Sequence, residues 1–208
     1  TGYIKIMTNQ KNKSKKYFDK VSNKNKKIKE PIRCYPIVLE EIKNSEGKLL
    51  DVGCGEGVLL GFLSEKCDAR LKLYGIDLSR NAIEKAKSVL SEKIDLRVGD
   101  AEHLPYEDGE FNVLICTHSF HHYPNPSAAL KEFNRCLKQG GKLCIVENYR
   151  PEPIRWIRNV LFVLMNHPNG DIKFYSQKEL ENLSKDAMFE SIASKRITKK
   201  SFILICMK

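Results

Sequence analysis

From residue 48 onward, short β-rich runs alternate with segments of helical period. That alternation restricts the chain to a largely parallel sheet with helices on its faces. Strands are expected at Lys48–Val52, Arg70–Ile76, Ile94–Val98, Phe111–Cys116 and Lys142–Glu147, with helices at Gly57–Cys67, Arg80–Glu92 and Pro126–Lys138 between them. Asn125 is placed to cap the last of these, with Pro126 at its first position and Gly140-Gly141 past its end. Ahead of the sheet, Ile32, Tyr35, Val38, Leu39 and Ile42 form one stripe of a helix over Pro31–Asn44. Beyond it, an amphipathic helix is expected at Trp156–Met165, and a capping box, Ser176-Gln177-Lys178-Glu179, opens a helix to Ala187. The final strands, Phe189–Ile197 and Ser201–Met207, are joined by Thr198-Lys199-Lys200 and read as an antiparallel hairpin at one sheet edge. The fold class expected is α/β, a doubly wound sheet with an N-terminal helical extension.

The net charge of +10 first suggests a nucleic-acid partner, but its location argues otherwise. Residues 1–30 hold ten Lys and no Arg against Asp19 and Glu30, a charge of +8, whereas the other 178 residues hold 26 basic and 24 acidic side chains. A nearly neutral body offers no groove that tracks phosphates, so the arm is expected to be a solvated tail and a nucleic-acid partner is not expected. Residues 31–208 are then a single domain, with 151–175 as a lid insertion over the substrate. The longest apolar run, Val160–Met165, is far short of the roughly 18 residues that a membrane span needs. Seven cysteines without a CxxC pair point to thiols in a reducing cytoplasm rather than to a disulfide frame. His103, His118, His121 and His122 lack HExxH spacing and a Cys partner, so no metal site is expected.

Leu49-Leu50-Asp51-Val52-Gly53-Cys54-Gly55-Glu56-Gly57 runs from an apolar strand into a helix. Glycines at such a turn allow a tight bend and a close approach of ligand to backbone. The spacing is GxGxG, not the GxGxxG of dinucleotide folds, and Asp51 stands two positions ahead of the first glycine. A carboxylate there repels a pyrophosphate but helps to hold an ammonium-bearing ligand, directly or through water. Asp77 leaves the second strand where ribose hydroxyls are bound in nucleoside-binding α/β folds. Asp100 ends the third strand, placed to accept from an adenine amino group while Leu78 and Ala101 pack against the ring. All three acids fall at carboxyl ends of successive strands, the ligand-binding edge of such sheets.

Residues 49–57, 74–79, 98–126 and 128–147 resemble successive motifs of class I S-adenosylmethionine-dependent methyltransferases, most closely the small-molecule branch of ubiquinone- and menaquinone-biosynthesis-like enzymes. The resemblance is strong over residues 48–147 and looser beyond, where Met188 stands in place of the usual Gly. It implies a Rossmann-like seven-stranded sheet of order 3-2-1-4-5-7-6 with strand 7 antiparallel. It also implies S-adenosylmethionine as cofactor and S-adenosylhomocysteine as product. Gly53 and Gly55 would then form the loop beside the methionine moiety, Asp77 would bind ribose, Asp100 and Ala101 would meet adenine, and Thr117 would line the methionine side.

Methyl transfer from a sulfonium needs alignment and exclusion of water more than it needs a base, which matters only for a hydroxyl or protonated amine acceptor. His118, His121 and His122 follow the fourth strand and are the candidates for such a base. Tyr149 and Trp156 are candidates for the acceptor wall, and Tyr17, Phe18 and Tyr35 for an aromatic cover over the sulfonium. The expected activity is methylation of a small molecule. An RNA methyltransferase using the basic arm, a non-catalytic S-adenosylmethionine-binding module and a nicotinamide oxidoreductase are the rival readings.

Overall fold

The computed structural model describes residues 2–22, 33–67, 69–165 and 171–208. Seven strands form one sheet in the order β3-β2-β1-β4-β5-β7-β6. They are β1 (Gly47–Val52), β2 (Leu71–Asp77), β3 (Asp95–Val98), β4 (Phe111–Thr117), β5 (Leu137–Asn148), β6 (Glu190–Arg196) and β7 (Ser201–Met207). β1 to β5 run parallel, and β7 lies antiparallel to both β5 and β6. The order and direction match the expectation.

Two-residue periodicity divides the strand side chains between two cores. On β4, Leu114 and Cys116 enter one core and Val113 and Ile115 the other; on β5, Leu143 and Ile145 oppose Cys144 and Val146. Because both faces are covered, these strands read as continuous apolar runs. The helices α5 (Pro126–Cys136) and α7 (Gln177–Asp186) cover the first core through Leu130, Phe133 and Leu180. The helices α2 (Tyr35–Ile42), α3 (Val58–Lys66) and α4 (Arg80–Val89) cover the second through Val38, Leu63 and Ile83. All seven cysteines are free thiols and six are buried, behaving as small apolar side chains. No helix among the described residues is long and apolar enough to cross a membrane.

The caps follow the sequence signals. Asn125 accepts from the Ala128 N–H at 3.1 Å, and the Ser176–Glu179 capping box is complete. β5 differs: it begins at Leu137, directly after α5, because Leu137 already pairs with Phe111 across an irregularity in β4. Pro31 and Ile32, expected to open α2, lie outside the described residues. Met188 adopts φ +65°, so the turn before β6 keeps a left-handed conformation although its residue is not Gly.

The basic arm is the largest correction. Residues 2–22 are a helix, α1 (Gly2–Ser22), laid against α4 rather than a solvated tail. The Asp19 carboxylate accepts from the Ser79 hydroxyl and the Asn81 N–H at the start of α4, and Lys85 Nζ donates to the Ser22 carbonyl at 3.2 Å. One acidic side chain among the lysines, placed against a helix N-terminus, anchors the arm.

Candidate functional site

A cleft opens where β1, β2 and β4 end, with α1 forming its far wall. Its floor is the β1–α3 loop, folded back so that the Gly53 and Cys54 N–H groups both donate to the Ile76 carbonyl, at 2.8 and 3.1 Å. Gly53 (φ +74°) and Gly55 (φ +55°) differ in what constrains them. A Cβ on Gly53 would stand 1.9 Å from Ser119 Oγ, whereas a Cβ on Gly55 would meet nothing within 4 Å. Gly53 is therefore required by packing, and Gly55 leaves a vacant side facing the cleft.

Asp77 braces this loop. Its Oδ2 accepts from the Gly55 N–H and its Oδ1 from the Ser79 N–H, both at 2.8 Å. Burial raises the pKa of this carboxyl, and the N–H donors of Ser79 and Gly55 work against that rise. Each oxygen keeps a lone pair for a ligand hydroxyl. Leu78, Asp100 and Ala101 line the same cleft. Asp100 is held on both oxygens, Oδ1 by the Glu102 N–H at 3.0 Å and Oδ2 by Lys11 Nζ at 2.6 Å. Lys11 also reaches Glu102 Oε2 at 2.6 Å, so one cation from α1 bridges two carboxylates at the end of β3.

Other expected residues lie elsewhere. Asp51 is 1% exposed and sits behind the loop, off the cleft wall; its Oδ1 has no hydrogen-bond partner among the described residues. Burial, together with the nearby Asp77 charge, pushes its pKa up to about 8. Thr117 ends β4 but does not border the cleft, which takes its neighbours His118 and Ser119 instead. Tyr149 is turned away, its ring covered by the Arg196 guanidinium at 3.9 Å. Trp156, on α6 (Ile154–Met165), is 64% exposed and also away from the cleft, because its side of that helix faces solvent. Of the aromatic cover, Phe18 lines the cleft, Tyr17 packs against Phe18 at 5.3 Å, and Tyr35 is buried against Phe62 in the second core.

The three histidines divide. His118 (φ +51°) and His122 border the cleft, and His122 meets the Phe18 ring edge-on at 4.9 Å. His121 points away and is locked to Glu147, its Nδ1 lying 2.9 and 3.1 Å from the two carboxylate oxygens. Burial alone would raise the Glu147 carboxyl and lower the His121 imidazole. Their mutual attraction reverses both, leaving a buried ion pair. Sequence reasoning missed Lys11, Glu147 and Asp171, the last of which lies 3.3 Å from His122 Nδ1. The available signal was Glu147, a carboxylate closing an otherwise apolar strand.

Residues 50–145 match a family model described as "Methyltransferase domain". Just under half of the chain is thus similar to a methyltransferase domain. An uncharacterized methyltransferase, YcgJ, of Bacillus subtilis (strain 168) is 32% identical over 132 residues, which is 60% of this chain and 48% of that protein. A demethylmenaquinone methyltransferase of Staphylococcus aureus (strain MRSA252) is 38% identical over 106 residues, 50% of this chain and 44% of that one. The chain thus spans just under half the length of these two curated relatives. The solved YcgJ structure superposes with a TM-score of 0.71 at 17% identity, covering 85% of this chain and 98% of that chain. Haemonchus contortus phosphoethanolamine N-methyltransferase 2, solved with S-adenosyl-L-methionine, superposes at 0.68 and 14% identity, covering 84% of this chain and 52% of that chain.

The cleft suits S-adenosylmethionine. Gly55 leaves open space where a side chain would stand, Asp77 offers lone pairs beside it, and apolar Leu78 and Ala101 flank Asp100.

Proposed function

We propose that the chain transfers a methyl group from S-adenosylmethionine to a small-molecule acceptor. The observation that carries this reading is the lining of the cleft: the open side of Gly55 and the Asp77 carboxylate share it with the Phe18 and His122 rings. When bound, S-adenosylmethionine supplies an activated methyl group for in-line displacement. Asp77 would hold the ribose hydroxyls, with Asp100, Leu78 and Ala101 around the adenine and Gly53 and Gly55 beside the methionine moiety. Thr117 and Asp51 would act only through the loop geometry they support, since neither borders the cleft. The α1 wall excludes water, which favours alignment of the reacting atoms over hydrolysis. His118 and His122 are the groups placed to take a proton from a hydroxyl or ammonium acceptor; His121, turned into its ion pair, is not.

A small acceptor is favoured because α1 lines one side of the cleft, and the body outside the arm is nearly neutral rather than a basic groove. Lys11, the arm residue nearest the cofactor acids, already serves two carboxylates. Seven free thiols suit a reducing compartment such as the cytoplasm. The test is to incubate the protein with S-adenosylmethionine and separated acceptor fractions of small metabolites, RNA and protein, and to follow S-adenosylhomocysteine. Product formed with the metabolite fraction is expected. Product formed only with RNA, accompanied by a steep salt dependence, would overturn the small-molecule reading; no product with any fraction would leave a binding module.

A further inference from the structure

Beside the cleft, the structure gathers a group of which the methyl-transfer reading uses only His122, and a metal held there would leave His118 as the cleft histidine able to take a proton. His121, His122 and Asp171 each offer a ligand atom, and those atoms lie within 4.8 Å of one another. Asp171 Oδ1 is 3.3 Å from His122 Nδ1 and 3.9 Å from His121 Nε2. Asp171 comes from the segment between α6 and α7 and is fixed there by its neighbour, whose Ile172 N–H donates to the His121 carbonyl at 3.0 Å. We propose that His121, His122 and Asp171 form a divalent cation site of zinc type on the flank of the cleft.

The strongest support is the way His121 is held. Its Nδ1 lies at hydrogen-bond distance from both oxygens of buried Glu147, so Nδ1 is committed to that carboxylate and Nε2 is the ring atom turned toward the cluster. In the ion pair Nε2 is protonated as well and lies 3.9 Å from the Asp171 carboxylate, and a bound zinc would take the place of that proton. A carboxylate that grips the far nitrogen of a ligating histidine is also the usual outer support of such sites, fixing tautomer and ring direction. Here Glu147 supplies it from β5, a rigid central strand.

The spacing agrees. Zinc bonds to imidazole nitrogen and carboxylate oxygen of about 2.0–2.2 Å, arranged tetrahedrally, separate the ligand atoms by about 3.3–3.5 Å. The His122–Asp171 pair already stands at that separation, the His121–Asp171 pair must close by roughly half an ångström, and the two imidazoles, within 4.8 Å of each other, by up to about 1.5 Å. Two imidazoles and one carboxylate suit zinc over calcium or magnesium, which take oxygen ligands. Three protein ligands leave a fourth position open, and His122 brings the group to the cleft edge, where an ion can enter. The site stands whether or not the cleft binds S-adenosylmethionine.

The test uses the full chain stripped with a chelator, titrated with zinc alone by calorimetry, and then desalted for metal analysis. One retained zinc per chain is expected. Affinity should fall at least about tenfold in Asp171→Asn and in His122→Gln. It should be unchanged in His103→Gln, whose histidine lies outside the group. Because seven thiols could also take zinc, cobalt is titrated in parallel. A site of nitrogen and oxygen ligands gives weak visible bands without the intense thiolate charge-transfer absorption. Circular dichroism and melting of each variant separate lost ligation from lost folding, and the isosteric pair keeps the test usable if one variant fails to fold. Absence of retained zinc, equal retention in folded variants, or a thiolate spectrum would each overturn the assignment.

Discussion

Replacing either glycine of the β1–α3 loop by alanine should damage the protein, but in different ways. Both residues have left-handed backbones, φ +74° at Gly53 and +55° at Gly55, so each substitution carries a strain of about 1–2 kcal/mol. At Gly55 the added methyl enters empty space, and strain is the whole folding cost; for a domain of this size it lowers Tm by about 2–8 °C. At Gly53 the methyl would stand 1.9 Å from Ser119 Oγ and 3.0 Å from the Tyr123 hydroxyl. Those two groups hydrogen-bond each other at 2.9 Å, and Tyr123 also donates to the Val52 carbonyl at 3.4 Å, so neither moves cheaply. Overpacking there adds about 1–3 kcal/mol to the strain. Calorimetric melting should therefore rank Gly53→Ala clearly below Gly55→Ala. Binding should rank differently. In Gly55→Ala the methyl occupies ligand space, and S-adenosylhomocysteine affinity should fall by about 10- to 100-fold, equivalent to about 1.4–2.8 kcal/mol, in a protein that still melts cooperatively. Equal melting of the two variants would refute the packing argument for Gly53. Unchanged affinity in Gly55→Ala would refute the placement of the ligand.

Three further outcomes follow from the same geometry. Met188→Gly should raise Tm by about 2–4 °C, because Met188 is 79% exposed at φ +65° and the exchange relieves about 1 kcal/mol of net strain; an unchanged or lower Tm would count against it. His121→Ala should lower the urea-unfolding free energy by about 3–5 kcal/mol, since it leaves Glu147 charged and buried, and adding Glu147→Gln should recover part of that loss. Asp51 has a folded pKa near 8, above its unfolded value, so the native state binds the extra proton between about pH 4 and 8. Stability should accordingly fall as pH rises through that window. Asp51→Asn should remove this slope in urea midpoints at pH 5, 7 and 8.5, and parallel curves for the two proteins would contradict the assignment.

Most of the sheet was legible because its strands are buried on both faces and separated by helices with clear caps. The central strands β4 and β5 each carry one apolar run, β3 at the sheet edge instead alternates apolar with charged residues, and the Thr198–Lys200 turn marks the hairpin that reverses β7. Asp77 and the glycines were legible for a related reason: ligand chemistry at this sheet edge constrains residue type at fixed offsets from strand ends. What was not legible depends on contacts between segments far apart in the chain. The anchoring of α1 rests on Asp19 meeting Ser79 and Asn81, and nothing in a lysine-rich stretch announces that pairing. Tyr149 and Trp156 looked available as aromatic walls, but their direction is set by Arg196 and by the solvent side of α6. The histidine cluster offered three equivalent candidates after β4. Only Glu147 and Asp171, 26 and 49 or more residues away, divide them into a buried ion pair and cleft-facing rings.

The central claim is that the cleft between Gly55, Asp77 and α1 binds S-adenosylmethionine. Calorimetric titration of the wild-type chain and of Asp77→Asn with S-adenosylmethionine, S-adenosylhomocysteine and NAD tests it most directly. Both adenosyl compounds should bind at roughly micromolar concentration, with a loss of about tenfold or more in the variant and no binding of NAD. Equal affinity in wild type and variant, or NAD binding as tight as that of S-adenosylmethionine, would contradict it.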